Sequence, residues 1–77
     1  MIKFPKDELD KIVAVVRETA KTKKFQPDEP LKELITDHRF CVPCSWYCIW
    51  TEAYRFEYRL TWIGEELLNH PEKFLKE

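Results

Sequence analysis

Glycine is nearly absent from this chain: Gly64 is the only one among 77 residues. Tight turns of all-β folds draw heavily on glycine, so its scarcity argues for helices. Long apolar runs are missing too. Nothing approaches the roughly 18 apolar residues of a membrane span, and the N-terminal MIKFPKDELD has no apolar stretch of the kind a secretory signal needs. A cytoplasmic protein with reduced thiols is expected. Charge of one sign is also lacking, since the formal net charge is −1. Lys3, Lys6, Lys11, Arg17, Lys21, Lys23 and Lys24 make the first third weakly basic. That is not a nucleic-acid footprint, and Lys21, Lys23 and Lys24 suit the negative end of a helix dipole. No glycine-rich phosphate loop, nucleophile elbow or paired carboxylates occur. A Cys–His pair could draw only on Cys41 or Cys44 with His70, and a short helical chain has little room for a deep pocket. Binding rather than catalysis is the expectation.

What is present describes a folded domain. The sequence is 44% apolar and 35% charged, outside the disordered range. A chain this short buries only about 60% of its unfolded surface, and small domains often lean on a metal, a disulfide or a partner chain. Pro5 followed by Asp7, Glu8 and Asp10 marks a helix start. Leu9, Ile12, Val13, Val16 and Ala20 then repeat at helical spacing, predicting a helix over 5–22. Phe25 lies in a connector and is expected to fold back on the core. Asp28 is a candidate cap for a second helix ending near residue 40, with Leu31, Leu34 and Ile35 on one side. Residues 44–68 read as one long aromatic-rich helix, and 70–75 as a last short turn. The expected fold is all-α, a single domain over 1–77 built as a bundle of three to four helices.

On a helical wheel, Trp46, Ile49, Trp50, Ala53, Phe56, Leu60, Ile63 and Leu67 form one apolar arc. Tyr47, Tyr54, Tyr58 and Trp62 form a second beside it, with Arg55 and Arg59 on the polar side. The combined width exceeds the stripe of about 100° that a surface helix buries. Either both arcs are core, or the second one meets a partner, a task suited to the amphipathic rings of Tyr and Trp. Glu57 falls inside the first arc: if that arc is closed in the monomer it needs a cationic partner or a raised pKa, and the alternative is that it sits at the rim.

The densest chemistry is His38, Cys41, Cys44 and Cys48, spaced H-x2-C-x2-C-x3-C. Three cysteines cannot all pair within one chain. A Cys3His set suits zinc, and Cys44 and Cys48, four apart, would share a helix face. The run resembles a ferredoxin cluster segment, with His38 in place of the first cysteine and no proline after the last. Cys-Val-Pro-Cys is similar to a thioredoxin-type dithiol at a helix start. The segment also resembles zinc-binding anti-sigma factors, small helical proteins with a His-x3-Cys-x2-Cys motif ahead of a long helix. Each resemblance covers only this segment. The alternative is that the cysteines are small buried hydrophobes.

Two functions follow as expectations. The first is a small regulatory, accessory or inhibitor-type protein. It would act through Tyr47, Tyr54, Arg55, Tyr58, Arg59 and Trp62 on another protein or on itself as a homodimer, without nucleic acid or membrane. The second is a metal module, zinc before iron–sulfur, or a dithiol redox module, using His38, Cys41, Cys44 and Cys48. The cofactor expectation is accordingly none, or zinc.

Overall fold

In the computed structural model, which describes residues 2–77, the chain opens with helix α1, Lys6–Thr22. Leu9, Ile12 and Val16 face the core. Thr19 is also buried, its hydroxyl donating to the Val15 carbonyl at 2.9 Å. Lys23 closes the helix in a left-handed conformation, φ 66°, with its N–H on the Thr19 carbonyl. Phe25 then turns inward and is buried. A shorter helix α2 spans Leu31–Asp37; Asp28 makes no side-chain cap, and the Glu29 carboxylate instead accepts from the N–H of Glu33 at 3.3 Å.

The long third helix does not exist. Its place is taken by an antiparallel hairpin, β1 (Cys41–Cys48) and β2 (Ala53–Leu60), followed by helix α3, Trp62–Asn69. The fold is therefore mixed, helices plus a two-stranded sheet, rather than an all-α bundle. The physical reason is visible in Tyr54, Arg55, Phe56, Glu57, Tyr58, Arg59 and Leu60. Apolar and charged residues alternate there with period two, and aromatic residues recur in both strands. Residues 49–52 form a four-residue loop, in which Glu52 adopts φ 53°.

Thr61 caps α3, its hydroxyl oxygen accepting from the Gly64 N–H at 3.2 Å. A Cβ on Gly64 would run into the Phe40 carbonyl oxygen, so the helix lies close against that backbone. A 3₁₀ turn, Pro71–Phe74, ends the structure, and the chain ends meet. The Phe4 N–H donates to the Phe74 carbonyl at 2.8 Å, and the Lys76 N–H to the Phe4 carbonyl at 2.7 Å. The core gathers Phe4, Leu9, Ile12, Val16, Phe25, Ile35, Phe40, Cys41, Leu67 and Phe74.

The hairpin leaves this core behind. Eight-residue strands run about 26 Å, while only their base reaches the core: Cys41 is buried in it, and Tyr58 and Leu60 pack partly buried against it. The molecule measures 50 × 23 × 18 Å, and its radius of gyration is 13.8 Å, against about 11.5 Å for a compact chain of this length. The hairpin is an arm.

Candidate interaction arm

Strand pairing sorts the arm into two faces. Cys41 pairs with Leu60, Pro43 with Tyr58, Ser45 with Phe56 and Tyr47 with Tyr54, and these eight side chains share one face. Not one carries a charge. The opposite face holds the pairs Val42–Arg59, Cys44–Glu57, Trp46–Arg55 and Cys48–Ala53, and every charged side chain of the two strands lies on it.

The neutral face is an aromatic row. At its base, Tyr58 stacks on the buried Phe25, ring centroids 5.1 Å apart. Phe56 meets Tyr58 edge to face at 5.4 Å, and Tyr47 meets Tyr54 likewise at 5.3 Å. Along β2 exposure rises outward: Phe56 is 62% and Tyr54 80% exposed. At the tip, Ile49 and Trp50 are 72% and 90% exposed. An apolar patch of this size on a small domain is unusual unless something covers it.

On the charged face, Arg59 and Glu57 pair with each other. Arg59 lies 3.3 Å from the Glu57 carboxylate and 5.5 Å from the centroid of the Trp46 ring. Glu57, which the helical reading placed in an apolar arc, thus has its cationic partner two residues along one strand. Of the six residues expected to bind a partner, Tyr47, Tyr54 and Tyr58 share the neutral face, while Arg55 and Arg59 lie behind it. Trp62 is 78% exposed on the first turn of α3. Sequence reasoning assigned Phe56 and Trp50 to the buried arc. Their strand parity and loop position, legible in the alternation around them, would have placed both outside.

The arm also separates the expected metal ligands. Cys41 points to the core, and Cys44 and Cys48 lie on the other face. Cys44 and Cys48 are about 13 Å apart along the strand, whereas thiolates sharing a zinc ion sit within about 5 Å of each other. Cys41 and Cys44, on opposite faces, do not form the dithiol pair either, and all three thiols are free. His38 caps α2 and packs edge-on to Phe4 at 5.5 Å. Among the described residues no group of three or more His, Cys, Asp or Glu side chains is placed to hold a metal ion. His70 ends α3 with its Nδ1 3.5 Å from Glu72.

The thiols differ in electrostatics. Burial pushes Cys41 up to about 11, with a hydrogen bond to Thr19 acting the other way. Cys48 is lowered, first by a hydrogen bond with the Thr51 side chain, then by the backbone amides of Thr51 and Trp50. Among the described residues no helix is long and apolar enough to cross a membrane. Compared with protein-family models, with curated proteins and with solved structures, the chain matches none.

Proposed function

We propose that this is a binding protein that docks the neutral aromatic face of its hairpin arm on a protein surface. The observation that carries the reading is the uncharged row Tyr47, Tyr54, Phe56 and Tyr58, with Ile49 and Trp50 exposed at the tip, on an arm whose outer half takes no part in the core. Aromatic side chains of this kind form the centres of protein interfaces, because they offer large rigid areas at low entropic cost. Nucleic acid fits the face poorly: base-stacking platforms work beside cations that follow the phosphates, and Arg55 and Arg59 lie on the reverse face. A photo-crosslinking residue at position 54 is expected to capture a protein chain in the producing cell, while the same residue at Asp10, exposed on α1, captures none. Equal labelling from both positions, or no adduct from 54, overturns the reading.

A further inference from the structure

Resting on that reading, we infer that the surface the arm meets is the arm of a second copy, packed face to face and antiparallel about a twofold axis near Phe56. Electrostatics favour this occupant. A face of one sign repels its own copy, whereas this one is uncharged over all eight positions. Area agrees. The exposed parts of Tyr47, Tyr54 and Phe56 come to on the order of 400 Å² per copy, and burying the tip residues Ile49 and Trp50 as well would bring this to about 700 Å², close to the roughly 800 Å² per partner of a stable interface.

The strand edges are less suited to the task. Tyr58 donates its N–H to the Lys23 carbonyl at 2.9 Å rather than across the ladder. Its pair with Pro43 is therefore a non-hydrogen-bonded one, and Pro43 stands where the outer edge of β1 would offer a donor. One edge lacks a donor and the other is covered at its base, so the faces are left to associate.

Length sets the arrangement. Cys41, Tyr58 and Leu60 at the base of the face already pack on the body, so two antiparallel arms overlap over their outer halves and bring the tip of each up against the base of the other. The base holds an open cleft of about 290 Å³ lined by Ala20, Lys23, Tyr58, Arg59, Leu60 and Glu65. The indole of the second copy's Trp50, exposed at the tip, would lie over this open, partly charged cleft.

Sedimentation of the full chain should give twice the 9.4 kDa chain mass. Phe56→Glu puts a charge at the centre of the contact and should weaken association about a hundredfold or more. Circular dichroism should be unchanged, because Phe56 is exposed in the single chain. Arg55→Glu, on the reverse face, should leave the dimer intact. A photo-crosslinker at position 50 should join the second chain near Ala20 and Lys23. A chain that stays monomeric at millimolar concentration overturns the inference, as does a dimer indifferent to Phe56→Glu. Crosslinks from 50 to α2 alone would overturn the antiparallel arrangement. A monomer whose position 54 still captures another protein leaves the docking reading standing; a monomer with no adduct at 54 removes both.

Discussion

Cys41 and Cys48 sit seven residues apart in one strand and should behave as opposites. Thiolate is the reactive form. Cys41 is buried with its thiol held near 11, and Cys48 lies beside the loop with its thiol lowered by Thr51. Mild alkylation of the native protein near pH 7.5 should therefore mark Cys48 first and Cys41 only after unfolding, as read by peptide mass spectrometry; early labelling of Cys41 would contradict its burial. The same shift links stability to pH. The unfolded thiol ionises near 9.0 and the folded one near 11, so the unfolded state releases its proton first as pH rises. The contribution of Cys41 is constant below pH 9 and is lost between pH 9 and 11. The measurement is a difference between two variants, which isolates the Cys41 contribution. Urea midpoints of wild type should fall more steeply over that window than those of Cys41→Ala, and parallel curves would show that Cys41 is not desolvated.

At the scale of elements, Gly64 gives the sharpest test. Helix propensity alone says that Ala in place of Gly gains about 1 kcal/mol. The close approach of α3 to the Phe40 carbonyl says the reverse, since a Cβ there collides with backbone. Overpacking of this kind costs about 1–3 kcal/mol, so Gly64→Ala should lower the melting temperature, and a rise would mean the helix is free to shift. The elements themselves were unevenly legible. The first helix, read as 5–22, lies at Lys6–Thr22, because its apolar stripe fits only one period. The hairpin was hidden by two physical coincidences. Tyr54 and Tyr58, four apart, share a side on a helix and also on a strand, so the wheel looked orderly. Scarce glycine suggested few turns, yet Lys23, Arg39 and Glu52 hold the left-handed positions that glycine usually fills. What the wheel could not accommodate was Glu57 among apolar neighbours, and that misfit was the trace of the period-two alternation. The tyrosines were recognised as a group because they share a face in either geometry. Phe56 and Trp50 were missed because only the strand and its loop expose them. The cysteine spacing carried no such ambiguity of residues, only of period: three apart is opposite sides on a strand and neighbouring positions on a helix.

On the scale of the whole molecule, the body and the arm make separable demands on the sequence. The fully buried hydrophobic core draws on both ends of the chain and on α1, α2 and α3, and between residues 42 and 66 only the partly buried Tyr58, Leu60 and Ile63 pack against it. Stability should then reside in the body, with the outer arm contributing mainly surface. Shortening the arm tests this. Cys44 and Glu57 form a pair that alternation with the Pro43–Tyr58 pair makes hydrogen-bonded, the kind that a two-residue Asn-Gly turn closes. Replacing residues 45–56 by Asn-Gly removes Tyr47, Trp50, Tyr54 and Phe56 while keeping Tyr58 on Phe25 and Cys41 in the core. The shortened chain should unfold cooperatively, with a midpoint near that of the isolated full-length chain, and should lose its association with any partner. The full-length protein adds to this a term that depends on its concentration, since binding to the folded state stabilises it by mass action. Its melting temperature should therefore rise with protein concentration, and that of the shortened chain should not. If the shortened chain fails to fold even when dilute full-length chain does, the arm supports the body, and the exposed aromatic face is part of the fold's own stability rather than a surface kept for a partner.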